Sequence, residues 1–405
     1  MKLINTNEFC QKAYGQKLYK LSFDAGFSCP NRDQSDSSGG CIFCSAGGSG
    51  DFAIPIKDLV HTPCPDEYLK SAIKKAGEKV AKKFSGDKYI AYFQAYTNTY
   101  VPAKVLQEQH TDLKDYLRNI YLPVIKQNDI AVLSIATRPD CLSEPVYELL
   151  AQLNEIKPVW VELGFQTSNP KTAQYIRRGY ENQVYREAVK RLNSIGIHTI
   201  THVILYLPGE SIEDMKNTVQ YVVDSGSCGI KLQLLHILKN TALADEYELF
   251  LNQQSKVSFH IPTLEEYAKT LKECLELLPP QTVVHRLTGD PPKRLLIEPQ
   301  WAADKKKVLN TISDTLNPTG PYYVYIVKCA DGSLYTGSTN DVDKRFAKHA
   351  SGRGSKYTKA HTAVEVVYRE ECVNKRAALK REYEIKQLSR AQKLELISKN
   401  FQNNS

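Results

Sequence analysis

Ala25-Gly26-Phe27-Ser28-Cys29-Pro30-Asn31-Arg32-Asp33, followed by Gly39-Gly40-Cys41-Ile42-Phe43-Cys44, is the stretch from which the fold can be read. Its thiols are spaced C-x11-C-x2-C and come directly after an apolar run, Leu18 to Phe23, with strand character. Three cysteines can hold a [4Fe-4S] cluster and leave one iron open to an exchangeable ligand. A structural zinc instead closes its shell with four donors, and His61 or Cys64 could supply the fourth, so a zinc knuckle is the competing reading. The cysteine upstream of the Cys41/Cys44 pair, Phe43 one place before the last thiol, and the glycines Gly39, Gly40, Gly47, Gly48 and Gly50 favour the cluster.

Outward from this segment, apolar strand-like runs alternate with longer helical patterns. Strands are expected at Tyr89 to Gln94, Ile130 to Ala136, Val159 to Gly164, Thr199 to Leu205, Gly229 to Leu235 and Thr282 to Leu287. Helices are expected at Glu67 to Phe84, Glu144 to Asn154, Glu181 to Ser194, Ile212 to Ser225 and Leu264 to Leu278. Such alternation specifies an α/β fold with a parallel sheet, closing as a partial (β/α) barrel whose chemistry collects at the C-terminal ends of its strands. The rhythm stops after a short basic helix, and Asn317-Pro318-Thr319-Gly320-Pro321 reads as a linker. Two domains follow: residues 1–317, the barrel, and residues 318–405, a small α+β domain. The latter opens with a strand Tyr322 to Cys329, an Asp331-Gly332 turn and a strand Ser333 to Gly337, and continues with helices.

Charge separates the two parts. From Pro321 onward there are 16 Lys and Arg against 9 Asp and Glu, a net +7, so the preceding 320 residues carry only +1 of the chain's +8. Attraction to a polyanion is therefore concentrated in the tail domain. Met1 to Leu21 is polar with interspersed lysines and lacks the apolar core of a signal peptide, and no apolar run approaches a membrane span. A cytoplasmic location with no membrane partner is expected. Cys10, Cys64, Cys141, Cys228, Cys274, Cys329 and Cys372 are scattered and read as ordinary thiols. The lysine run Lys70 to Lys83 reads as the solvated side of an outer helix.

The cysteine segment, extended through Ser45-Ala46-Gly47-Gly48-Ser49-Gly50-Asp51-Phe52, resembles the YhcC/YtqA group of radical S-adenosylmethionine (SAM) proteins, relatives of the Elongator catalytic subunit. That resemblance implies a [4Fe-4S] cluster on Cys29, Cys41 and Cys44 whose open iron chelates SAM. Reduction would cleave SAM to methionine and a 5′-deoxyadenosyl radical, with flavodoxin or ferredoxin as electron donor. It also implies SAM contacts: Gln94 and Thr97 toward the methionine end, Glu162 and Gln166 near the ribose, Arg178, and His202 and Glu210 near the adenine. His236 and Lys239-Asn240-Thr241 would face the barrel mouth, toward substrate.

In the tail, Tyr323-Val324-Tyr325 stands ten residues before Tyr335-Thr336-Gly337, with Arg345 ten further on and Glu382 37 beyond that. This pattern resembles the GIY-YIG nuclease fold. A tyrosine can help activate a metal-bound water, an arginine can stabilise a pentavalent phosphate, and a carboxylate can hold a divalent cation. The resemblance thus implies catalytic roles for Tyr325, Tyr335, Arg345, His349 and Glu382, with Mg2+ or Mn2+ at Glu382. Asn340 or Asp341 would cap the helix that sets Arg345 and His349 on one face, and Asn374 the helix of Glu382. Tyr323 replaces the first glycine of the motif, Thr336 its middle isoleucine, and Ser338 stands where related repair nucleases place a lysine.

The leading expectation is a radical SAM enzyme that modifies a nucleoside in tRNA. The resemblance further implies a wobble uridine whose 5-carboxymethylaminomethyl group becomes 5-aminomethyl. Two alternatives remain: a metal-dependent nuclease of repair or processing in which the barrel is regulatory, and a zinc-stabilised scaffold on nucleic acid.

Overall fold

The structure, a computed structural model, describes residues 3–33, 40–45, 47–48, 53–56, 59, 65–80, 86–317 and 320–403. The chain divides into two compact units, residues 1–309 and residues 310–405.

The first unit is built on eleven strands among the described residues: β1 Ile4–Asn5, β2 Tyr19–Asp24, β3 Ile54–Pro55, β4 Tyr89–Phe93, β5 Ile130–Thr137, β6 Val159–Gln166, β7 His198–Leu205, β8 Gly229–Leu234, β9 Ile237–Leu238, β10 Val283–Arg286 and β11 Leu296–Glu298. Nine of them form one sheet in the order β1-β10-β8-β7-β6-β5-β4-β2-β3, with every neighbouring pair parallel. From β2 to β10 each long strand lies beside the next long strand in sequence, the single-direction winding of a barrel. The two outermost strands, β1 and β3, are two residues long and offer little edge for further pairing. The result is the expected partial barrel, and all seven strands expected from periodicity are present.

The wall helices form where caps and apolar spacing coincide. Ser211 and Asp214 make a capping box for Ile212–Asp224, and Thr263 and Glu266 another for Leu264–Glu276. The helix Asn182–Ser194 buries Tyr185, Ala188, Val189 and Leu192, one face of a 3.6-residue repeat, and Tyr185 stacks on Phe165 of β6 at 4.1 Å between ring centres. Near the N-terminal ends of the strands, Leu18, Ile90, Val132, Trp160 and Ile200 close the barrel floor. Gly229 has no substitute there, since a Cβ would lie 2.7 Å from the His285 ring. Sequence periodicity overlooked the helix Leu113–Ile125, capped by Asp112, and the two-stranded pairing of β9 with β11.

The second unit has a three-stranded antiparallel sheet, β13-β12-β14, made of β12 Tyr322–Cys329, β13 Leu334–Thr339 and β14 Ala363–Cys372. The Asp331-Gly332 turn forms as expected: Gly332 has φ +80°, and Asp331 Oδ1 accepts from Ser333 N at 3.0 Å. The caps Asp341 and Asn374 bond to Lys344 N and Ala377 N. Strand β14 is a correction to the expectation of helices after β13. Its Val366-Val367-Tyr368 carries the β-branched and aromatic composition of a strand, and its pairing along the whole of β12 decides the outcome over local propensity.

Candidate active sites

The cysteine loop is tied across the C-terminal ends of the barrel strands. Thr97 N, just past β4, donates to Ser28 O at 3.1 Å; Ile42 N bonds to Ile176 O at 3.4 Å; and Leu243 N bonds to Ile42 O at 2.8 Å. Asn31 Nδ2 donates to Arg177 O at 2.7 Å and approaches Cys41 Sγ at 3.4 Å. Arg32 donates to Ser45 O at 2.5 Å and lies over the Tyr96 ring, 5.1 Å from its centre. Cys29, Cys41 and Cys44 are all partly exposed. Burial first, and the neighbouring Cys44 second, push the Cys41 thiol up to about 11, against the pull of Arg138. Crowding of this kind disfavours thiolates until a multivalent cation joins them.

Among the described residues no three His, Cys, Asp or Glu side chains are disposed to chelate one ion. The three thiols are therefore electrostatic neighbours without forming a single-ion site. His61 and Cys64, the zinc alternative's fourth donors, lie outside the described residues. Two neighbours were not foreseen. Arg138, at the end of β5, is held bidentately by Asp140 at 2.9 and 2.7 Å and projects its charge on Cys29 and Cys41. Cys141, read as an isolated thiol, lies within the field of Cys29. Beside the loop is a cavity of about 800 Å³ lined by Asn31, Gly40, Gln174, Arg177 and Gly179 among others.

The expected SAM contacts separate into locked and open side chains. Glu162 is fully buried mid-strand, and both oxygens are taken: Lys20 and Ser134 reach Oε1, and Lys231 and His202 reach Oε2, the last at 2.7 Å. Burial pushes its carboxyl up, but Lys20 and Lys231 overcome this and hold it well below the usual carboxylate range. Burial and then Lys231 push His202 down to about 4, so its ring is neutral. Arg178 commits all five N–H groups to the carbonyls of Phe165, Thr167 and Tyr180 and to Asn182 Oδ1. All three side chains are engaged with their neighbours in the barrel wall. Glu210 differs: Thr167 Oγ1 donates to its Oε1 at 2.5 Å, its Oε2 is buried with no partner, and burial raises the carboxyl to about 7. Gln94 accepts from Ser22 Oγ at 3.1 Å, and Thr97 is buried at the loop contact. Gln166, at φ +65°, turns its amide toward the carbonyls of Gly164 and Phe165. Thr241 caps the helix Ala242–Leu251 rather than facing an open site.

In the second unit the five expected residues converge. Tyr325 Oη meets His349 Nε2 at 2.8 Å, and His349 Nδ1 meets Thr358 Oγ1 at 2.6 Å. His349 is wholly buried with both nitrogens engaged, so it orients the tyrosine. Tyr325 and Tyr335 act on the Arg345 guanidinium and hold its value up. Burial lifts the Tyr325 phenol to about 12 although Arg345 opposes it. Glu382 lies within the field of Tyr325, accepts from Ser338 Oγ at 2.5 Å and pairs with Lys386 at 2.5 Å. Gly337 pairs with Tyr325 in register, and a Cβ there would sit 2.6 Å from the phenol oxygen, so the motif's second glycine is sterically required. Lys386 went unremarked, although its i,i+4 spacing from Glu382 was readable.

Family comparison divides the chain in the same way. Residues 34–222 match the Radical SAM superfamily, residues 228–317 the radical SAM C-terminal domain, and residues 321–395 the GIY-YIG catalytic domain. The chain is 40% identical over 316 residues to the uncharacterized protein YtqA of Bacillus subtilis (strain 168), covering 78% of this chain and 90% of that protein. Against protein YhcC of Escherichia coli (strain K12) it is 31% identical over 310 residues, covering 76% and 90%. The tail is 58% identical over 77 residues to a UPF0213 protein of Staphylococcus saprophyticus, covering 19% of this chain and 94% of that one. The chain belongs to the radical SAM enzymes, in the group of YtqA and YhcC, and carries a GIY-YIG domain at its C-terminal end. That family implies an iron-sulfur cluster and SAM. No helix among the described residues is long and apolar enough to cross a membrane.

Proposed function

We propose that Cys29, Cys41 and Cys44 hold a [4Fe-4S] cluster and that the enzyme modifies the wobble uridine of tRNA, converting a 5-carboxymethylaminomethyl group to 5-aminomethyl. The observation that carries the cluster assignment is the seating of three partly exposed, mutually crowded thiols on a loop bonded across the ends of β4 and of the segment after β6. The tRNA substrate rests on the resemblance to Elongator-type barrels and on the +7 tail, suited to a phosphate backbone. When bound, the cluster supplies one electron that splits SAM, with a flavodoxin or ferredoxin as donor. The chain's own part is to orient and to shield. Asn31, Arg32 and Arg138 fix the loop and balance thiolate charge, and Glu210 offers its free oxygen to SAM. Glu162, His202 and Arg178 hold the strands around them. Anaerobic reconstitution with iron and sulfide, then reduction with SAM, should release 5′-deoxyadenosine, and Cys29→Ala, Cys41→Ala or Cys44→Ala should abolish it. Wobble-uridine content that is identical in cells with and without the gene would sink the tRNA assignment.

The convergence of Tyr325, Tyr335, Arg345 and Glu382 favours a second reading, a divalent-metal nuclease in which Mg2+ or Mn2+ binds at Glu382. A cut in RNA or DNA that needs Mn2+, disappears in Arg345→Ala and ignores loss of the cluster would establish it.

A further inference from the structure

The barrel lumen holds more positive charge than its own carboxylates balance. Lys20, Lys231 and Glu162 form one buried group, with Tyr92 and neutral His202 at its sides. Arg286, the last residue of β10, follows a bulge after Val284 and is the register partner of Lys231, which places the two on one face. Since Lys231 reaches inward to Glu162, Arg286 also faces the lumen, and its charge acts on Tyr92, Lys231 and His236. Among the described residues Arg286 is half-buried and forms no hydrogen bond or ion pair. This layer therefore sets two lysines and a guanidinium against one carboxylate, burial holding the Lys231 ammonium well below its usual range, and the guanidinium in it is unspent.

A second observation lies next to it. His236, just beyond β8, has a buried Nε2 without a partner, and burial, with Arg286 opposing Asp290, pushes its ring down to about 4. The ring is kept in place by Gly289: a Cβ there would lie 2.8 Å from His236 Cε1 and 3.7 Å from Gln233 Oε1. Asp290, whose charge acts on the His236 ring, is itself paired with Lys305. Arg286 stands three residues before Gly289, against which the His236 ring packs, so a guanidinium and a neutral ring nitrogen share the C-terminal ends of β8 and β10, a donor pair suited to an anion. Guanidinium matches a planar carboxylate bidentately, and a neutral ring nitrogen adds a directed bond to it or to an adjacent amine.

We propose that Arg286 and His236 form the substrate subsite of the barrel and receive the carboxylate of the carboxymethylaminomethyl arm. The proposal rests on the tRNA reading above and specifies which end of the arm the enzyme grips. A guanidinium here separates the modified arm from its product, which has lost the carboxylate, and so favours product release.

The test uses the reconstituted full-length enzyme and two anticodon stem-loops, one bearing 5-carboxymethylaminomethyluridine and one 5-aminomethyluridine, with affinity read by fluorescence anisotropy. Wild type should bind the first at least ~10-fold more tightly, the scale of one charge-assisted pair. Arg286→Gln should bring that ratio to about 1, Arg286→Lys should restore part of it, and Gly289→Ala, which displaces His236, should lower it by less. SAM affinity and 5′-deoxyadenosine release without RNA should stay at wild-type level in all three. A ratio retained in Arg286→Gln, with wild type still turning over the stem-loop, overturns the Arg286 assignment alone. A ~10-fold loss of SAM affinity in that variant overturns it too, by giving the guanidinium to the carboxylate of SAM. Equal binding and no turnover by wild type overturn the subsite together with the tRNA reading, and unchanged 5′-deoxyadenosine release then shows that the cluster assignment survives.

Discussion

Glu162 in the barrel and Glu382 in the tail are both carboxylates that the sequence nominates for a cofactor, and the structure places them in opposite circumstances. Glu162 is fully buried and receives four donors, two of them lysines from other strands. Glu382 is slightly exposed on the helix Lys375–Gln387, and its ammonium partner, Lys386, is half-exposed one turn away and displaceable. A carboxylate whose lone pairs are all taken in a low-dielectric interior holds strands together. One whose partner can swing into water keeps the capacity to bind a cation. Residue type and motif position are alike in the two cases, and burial separates the roles.

The largest effect that could break this contrast is on stability. Glu162→Gln leaves Lys20 and Lys231 facing each other in the lumen and should cost about 3–5 kcal/mol, measured by denaturant unfolding. The double variant Glu162→Gln with Lys231→Met should recover most of that loss, because it removes the uncompensated charge. A single variant as stable as wild type would mean that Glu162 is not locked.

Next comes Glu210, the open carboxylate of the barrel. Its folded-state value is raised from the ordinary 4.5 to about 7, so the folded chain retains a proton that the unfolded chain releases in that window. Stability is then full below about pH 4.5 and falls, by roughly 2–3 kcal/mol, as pH rises to 7. Glu210→Gln should flatten this slope, and SAM bound to the free oxygen should shift it. A slope unchanged in Glu210→Gln would assign the titration elsewhere.

The smallest stability effect belongs to the tail. Glu382→Gln breaks only the Ser338 bond and the pair with Lys386, and should cost at most ~1 kcal/mol. Its signature is instead the loss of Mn2+ binding by calorimetry, which Lys386→Ala should strengthen. Divalent binding indifferent to both variants would remove the carboxylate from the candidate metal site and leave the domain as a nucleic-acid binder.

Much of this was legible in the chain. Alternating strand and helix patterns gave the barrel strands within a residue or two, because their apolar periods reflect burial on both sides of a parallel sheet. Cap residues Asp341 and Asn374 act through bonds three residues away, so their effect is local. Strand β14 was missed although its residues suit a strand, since its definition lies in pairing with β12, some forty residues earlier in the chain. Arg138 and Cys141 were missed around the thiols for the same reason: the loop after β5, distant in sequence from the cysteines, brings them there.

The sequence by itself determined the two folds, the three thiols and the tail's tyrosine, arginine and glutamate, because these depend on residue type at fixed spacing. Only the tertiary structure decided which of the nominated side chains remain free to act. Glu162, His202, Arg178 and His349 are committed to their neighbours, whereas the nominated Glu210 and His236, and Arg286, which the sequence did not single out, keep an atom unpaired. Hydrogen-bond capacity is finite, and whether it is already spent is settled by what the fold brings within about 3 Å, which no single segment encodes.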